Sequence, residues 1–170
     1  MKKLRIILTD KSVINLLYIF VCVVYALVLC RGILFKYVTP FELFSPSRYE
    51  YIGYNLIPFN GSGLDFRLDT IINAFLFMPF GFLLSMKSRK NMKSLLLIFI
   101  PLLASIILES LQYAFRLGAA DITDVIMNTV GSCAGFITYY LSYKIFGNKP
   151  DKVYAILMSI VAVIALILLY

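Results

Sequence analysis

The feature that most restricts this chain is a set of five runs without a charged residue, at positions 12–30, 70–86, 94–108, 125–143 and 153–170. Crossing the roughly 30 Å hydrocarbon core of a bilayer as a helix takes about 20 mostly apolar residues. Five runs of near that length leave little chain for anything else. Composition agrees: 61% of the 170 residues are hydrophobic and 15% charged, against about 45–50% and about 25% in an average soluble domain. A soluble domain of this size would bury only about 70% of the surface its unfolded chain exposes, too little to hide so much apolar area. The sequence therefore predicts an all-α, polytopic membrane helix bundle. It forms one integral membrane domain over 1–170, with about five spans near 12–35, 69–86, 94–115, 124–143 and 153–170. The first run is too long for a signal-peptide core and no small-residue cleavage site follows it, so it reads as a retained helix.

Charge gives the orientation. The net charge of +7 would suggest nucleic acid in a soluble protein. In a membrane protein it reflects the Lys and Arg excess of cytoplasmic loops, and no nucleic-acid partner is expected. With five spans, one side carries Lys2, Lys3, Arg5, Lys11, Lys87, Arg89, Lys90, Lys93, Lys144, Lys149 and Lys152, which is 11 of the 16 basic residues. The other side carries Arg31, Lys36, Arg48, Arg67 and Arg116. The N-terminus is thus expected in the cytoplasm and the C-terminus outside. The one long connection, from Lys36 to Leu68, then faces outward. Its aromatic residues, Tyr37, Phe41, Phe44, Tyr49, Tyr51, Tyr54, Phe59 and Phe66, suit the headgroup level or a fold over the bundle, with a short interfacial helix. Within it, Asn60-Gly61-Ser62 reads as a turn bent at Asn-Gly.

What is missing narrows the chemistry. The chain has no histidine, which excludes Ser-His-Asp and Cys-His nucleophile systems and the HExxH zinc helix. Cys22, Cys30 and Cys133 have no metal-ligand spacing and sit in apolar runs as small hydrophobes. No metal site is expected, and the sequence names no cofactor. Any chemistry must use carboxylates, amides, hydroxyls, lysine or arginine.

Those groups are not scattered. The third run holds only 15 residues, about 22 Å of helix, so to cross it must continue to about Phe115. That puts a carboxylate and an amide below the membrane surface, where ionisable residues are costly and functional by default. Glu109, Gln112 and Arg116 have i, i+3, i+7 spacing and share one predicted helix face. After the short Leu117–Ala120 loop, Asp121, Asp124 and Asn128 repeat the spacing. Helices joined so closely are antiparallel neighbours, so both polar faces turn into one crevice. Asp69 and Asn73 open the second span at similar depth. Bland roles coexist with this reading. Asp121 is a candidate N-cap with Asp124 completing a capping box, and Asp69 a candidate cap for the second span. Arg116 is a candidate interfacial anchor, and Asn73 and Asn128 are candidate interhelical hydrogen bonds. Gly131 and Gly135 form a GxxxG packing face, and Pro79 a kink.

These residues carry a resemblance. Tyr54-Asn55-Leu56-Ile57-Pro58-Phe59, then Asn73 and Met78-Pro79-Phe80-Gly81-Phe82-Leu83-Leu84, then Glu109, Gln112, Arg116, Asp121, Asp124, Asn128 and Gly131, resemble the VanZ-like membrane family over about 54–140. The resemblance implies a multi-pass bacterial plasma-membrane protein acting at the cell envelope, with a link to teicoplanin-type glycopeptide resistance. It points to the same polar positions and supplies no mechanism. The expected function is binding of a lipid, a lipid-linked cell-wall precursor or a lipoglycopeptide headgroup in the outward crevice through Asn73, Gln112, Arg116, Asp121 and Asn128. The alternative is an intramembrane enzyme with Glu109 and Asp124 as an acid–base pair of unlike pKa. A transporter is a weaker reading, because no charged residue lines the cytoplasmic half of any span. The sequence leaves the oligomeric state open.

Overall fold

A computed structural model describes residues 10–44, 53–61, 63–88, 96–147, 154, 156–161 and 163–164. The basic residues Lys2, Lys3, Arg5, Arg48, Arg89, Lys90, Lys93, Lys149 and Lys152 lie outside the described residues, as do Tyr49 and Tyr51. Described in chain order are α1 (Asp10–Leu29), a π-helical turn (Cys30–Leu34), a 3-10 turn (Glu42–Phe44), β1 (Tyr54–Asn55), α2 (Leu64–Lys87), α3 (Leu96–Ala114), β2 (Ala120–Asp121) and α4 (Ile122–Phe146).

Among the described residues, three stretches are long and apolar enough to cross a bilayer: Asn15–Leu34, Leu68–Lys87 and Leu96–Ala114. Their exposed surfaces are apolar, with Phe75, Phe99 and Leu103 outward, as expected where hydrocarbon replaces water. At 25 residues, α4 is long enough, at about 37 Å. Its small and polar residues keep it out of that apolar class. The last apolar run is helical at Tyr154, 156–161 and 163–164.

The chain divides into two compact units. One joins Met1–Val28 with Leu141–Tyr170, and the other is Leu29–Tyr140. In the first, Leu16, Ile19, Val23, Ile156 and Ile160 are among the exposed apolar residues. The polar constellation belongs wholly to the second.

Inside Leu29–Tyr140, α2 and α4 approach at backbone distance. A Cβ on Gly131 would run into the Ala74 carbonyl, one on Gly135 into the Met78 carbonyl, and one on Gly81 into the Ser132 carbonyl. The small-residue face read in α4 is thus met by a glycine on α2, and no side chain could yield at these crossings. Below them Phe82 and Tyr139 meet edge to face, 5.3 Å between centroids, and Tyr139 is fully buried. The α3–α4 pair is held by Asn128, whose Nδ2 donates to Ser105 Oγ at 2.9 Å. The interhelical role expected for Asn128 is the one it plays.

The long connection folds back over the α3–α4 turn. β1 and β2 pair in parallel, Tyr54 with Ala120 and Asn55 with Asp121. The bend falls at Pro58-Phe59 rather than at Asn60-Gly61. Phe59 takes a left-handed φ of 57° and donates its N–H to Thr123 Oγ1 at 3.0 Å. The side-chain acceptor on α4 holds the strained residue where Asn-Gly chemistry alone would have set the turn one step later. The 3-10 turn stands in the same connection, capped by Thr39. Thr39 N–H donates to Glu42 Oε2 at 2.9 Å and Glu42 N–H to Thr39 Oγ1 at 3.3 Å, a reciprocal capping box. The hydrogen bond from Thr39 holds the Glu42 carboxyl below its usual range.

Candidate functional site

Four helix ends and the folded-back strand gather at one end of the Leu29–Tyr140 unit. The π-helical turn starts the arrangement. Its i→i+5 pattern, with Phe35 N–H on the Cys30 carbonyl, turns the Ile33 carbonyl toward α3, where Gln112 Nε2 donates to it at 2.7 Å. Lys36, just beyond, reaches α2 and pairs with Asp69 at 2.8 Å. Its Nζ also lies 5.2 Å from the Tyr37 ring centroid. Burial alone would lower the Lys36 ammonium, but the Asp69 partner, Tyr37 and Asp124 outweigh it and the net shift is upward. Lys36 therefore stays charged.

Asp69 is consequently a pairing residue and not a cap. α2 begins at Leu64, behind Gly63, a full turn before Asp69, so the expected capping role falls away. The Asp121 cap holds in a different form from the one expected. Asp121 Oδ1 accepts from Thr123 N–H at 2.7 Å, which is N-cap geometry. The reciprocal bond of a capping box should run from Asp124 to the Asp121 N–H. That N–H donates instead to Glu109 Oε2 on α3, at 3.0 Å. The box is closed by a neighbouring helix, and Asp124 is released to lie against Asn73 within the fields of Lys36, Asp121 and Asp69. Asn55 Nδ2 completes Asp121 by donating to Oδ2 at 3.1 Å.

Arg116 departs from the expected helix face. α3 ends at Ala114, and Arg116 has a left-handed φ of 55°. Leu117 N–H bonds the Gln112 carbonyl and Arg116 N–H the Tyr113 carbonyl, the two bonds of a Schellman ending with Arg116 at C′. Glu109 and Gln112 share a face as expected. Arg116 does not join them by helical spacing, because the helix has stopped. It is an exposed residue on the turn.

The remaining polar residues are deeply buried. Asn73 is 3% exposed, Glu109 4%, Gln112 3% and Asn128 0%. Each retains an atom without a hydrogen bond: Asn73 Nδ2, Glu109 Oε1, Gln112 Oε1 and Asn128 Oδ1. A buried polar atom left unpaired costs about 1–3 kcal/mol, so four of them, from three helices, mark a place where the fold gives up stability. Glu109 also lines a groove of about 400 Å³ between α3 and the β1–β2 pair, within the usual size range of a small-molecule site.

Sequence reasoning missed four participants: Lys36, Asn55, Thr123 and Ser105. Lys36 and Asp69 were detectable as opposite charges abutting the outer ends of the first two apolar runs. Asn55, Thr123 and Ser105 gave no periodic signal, because each acts through a single contact.

No solved structure matches the chain. The chain is 36% identical over 152 residues to Protein VanZ of Enterococcus faecium, covering 86% of this chain and 87% of that one. Residues 20–144 match the family described as VanZ/LLP1, a stretch that contains every polar residue of the site, and the chain belongs to that family.

Proposed function

We propose that this protein lowers susceptibility to teicoplanin-type glycopeptides at the bacterial plasma membrane, by binding a lipid or a lipid-linked cell-wall precursor headgroup in its polar crevice. The observation that carries the reading is the set of buried, unpaired polar atoms on Asn73, Glu109, Gln112 and Asn128. Buried polar atoms are nearly always partnered, and the donors and acceptors of a bound headgroup would partner these. The relationship to Protein VanZ of Enterococcus faecium supports the envelope setting. In this reading the chain crosses the membrane about five times with its N-terminus in the cytoplasm, so the crevice opens outside, where both the antibiotic and the assembled precursor are found. Arg116, exposed on the turn after α3, is in this reading the group that meets an anionic part of the ligand.

The test is expression in a teicoplanin-sensitive host. Wild type raises the inhibitory concentration, and Arg116→Ala and Asn73→Leu each remove the effect at equal membrane abundance, while precursor structure by mass spectrometry stays unchanged. Full protection by both variants refutes the binding reading. Altered precursors with wild type, restored by Glu109→Gln, would favour catalysis instead. Reporter fusions after positions 60 and 92 check the orientation: activity of a periplasm- or exterior-dependent reporter is expected only at the first.

A further inference from the structure

The groove beside Glu109 has a composition that its neighbours in the crevice lack. Its walls are apolar, with Leu56, Ile106, Val125 and the rings of Tyr54 and Tyr113 among them. Ile106 and Tyr113 are exposed on α3, one of the stretches long and apolar enough to span, so the groove opens sideways on the surface that a bilayer would cover. Two carboxylates line it, Glu109 and Asp121, and among its described lining residues there is no lysine or arginine. The Asp121 oxygens are both engaged, by Asn55 and Thr123. Glu109 Oε2 is engaged by the Asp121 N–H. Glu109 Oε1 is not engaged, and the residue is 4% exposed.

A buried carboxyl in that position is either protonated or paired, and a primary ammonium is the donor that would let it ionise by pairing. An anionic headgroup would face two carboxylates with no compensating cation in the lining. A ligand entering from the side of α3 comes from the hydrocarbon and brings a chain. Tyr54 and Tyr113, 6.5 Å apart at 75°, add ring faces that attract an ammonium. We propose that the groove holds an aminolipid, its acyl chain along Leu56, Ile106 and Val125 and its primary ammonium on Glu109 Oε1. The inference rests on the lipid-binding reading given above and narrows it to one headgroup chemistry.

The experiment places the full chain in nanodiscs of equimolar phosphatidylethanolamine and phosphatidylglycerol and measures co-retained lipid by native mass spectrometry. Wild type should retain phosphatidylethanolamine over phosphatidylglycerol by about tenfold, the factor that ~1.4 kcal/mol represents. Glu109→Gln keeps an acceptor for the Asp121 N–H but loses the charge, and should bring the ratio near unity. Ser110→Trp fills the groove from an exposed position of α3 and should remove both lipids. It also stands in if Glu109→Gln does not fold; an undiminished ratio in Glu109→Gln, or undiminished lipid retention in Ser110→Trp, overturns the proposal. Equal retention of both lipids, abolished by Ser110→Trp, overturns the ammonium assignment and leaves lipid binding standing. Retention of neither lipid by wild type overturns both.

Discussion

Position 116 offers a prediction whose sign depends on where α3 ends. In a helix interior, glycine is less stable than alanine by about 0.5–1 kcal/mol, because it has more backbone freedom to lose. At a C′ position in the left-handed region the balance inverts, since any Cβ there costs roughly 1–2 kcal/mol and glycine pays nothing. Arg116 has φ 55° and closes both Schellman bonds. Arg116→Gly should therefore be more stable than Arg116→Ala by about 0.5–1 kcal/mol, the steric relief less the entropy of the freer unfolded chain. Had α3 continued through Arg116, the same comparison would favour alanine by a similar amount, so the two geometries differ by about 1–2 kcal/mol in total. Comparing two variants that both lack the guanidinium removes any contribution of the side chain's own contacts. Thermal unfolding of purified protein in a neutral detergent reads the difference, expected as a rise on the order of 1–4 °C for glycine over alanine in a chain of this size. Equal melting temperatures, or a lower one for glycine, would refute the Schellman assignment. Both variants should lose protection against teicoplanin, so that Arg116→Gly is the more stable protein and still an inactive one.

The remaining predictions concern packing and charge. Gly131→Ala and Gly135→Ala should each destabilise by about 1–3 kcal/mol, although glycine to alanine within a helix ordinarily stabilises, because each new Cβ meets a carbonyl of α2. A rise in melting temperature would show that the two helices do not cross there. Lys36→Met and Asp69→Asn should couple in a double-mutant cycle by about 0.5–1 kcal/mol, as partly exposed pairs do. Because the folded Lys36 value is raised, the pair's contribution is present below the ordinary value of 10.5 and fades only as pH rises through the folded value above it. The stability difference between wild type and Lys36→Met should thus stay flat from neutral pH to that point, and a decline between neutral pH and 10.5 would argue against the pair. Glu109→Ala should cost about 0.5–1.5 kcal/mol more than Glu109→Gln, since only alanine removes the acceptor of the part-buried Asp121 N–H. Parity of the two in the same unfolding assay counts against the bond.

Much of the architecture was legible because its causes are periodic. The apolar runs follow from the bilayer's thickness, and the small residues of α4 lie one turn apart because two backbones must meet there. The i, i+3 pairing of Glu109 with Gln112 survives because both precede the helix end. Arg116 was misplaced for a definite reason: helix endings of this kind are usually signalled by glycine at C′, and here an arginine occupies it, so the i+7 spacing ran on past the real terminus. The Asp121–Asp124 box was misassigned because local spacing cannot reveal that a side chain from another helix is the better acceptor. Lys36 and Asp69 are 33 positions apart, and β1 and β2 are two residues each, too short for any alternation to register. What escaped the sequence is the set of contacts made once, between segments, without a repeat to announce them.

Glu109 joins these strands of the argument, because its two oxygens have different duties. Through Oε2 it closes the first turn of α4 from α3, a task that Asp124 would otherwise perform. That substitution has two physical consequences. Asp124 is freed to face Asn73 and the field of Lys36, so the lower crevice acquires a carboxylate that a self-capped helix would have spent on its own backbone. The start of α4 also becomes dependent on the position of Glu109, since the Asp121 N–H takes its acceptor from α3. Anything that draws Glu109 toward the groove through Oε1 therefore loosens or tightens the same turn that carries Asp121, Thr123 and, through Thr123 Oγ1, the folded-back Phe59. A ligand on Oε1 would act on the strap that covers it. In this way the single carboxylate of Glu109 links the lining of a lateral groove to the start of α4 and to the strap that bonds Thr123.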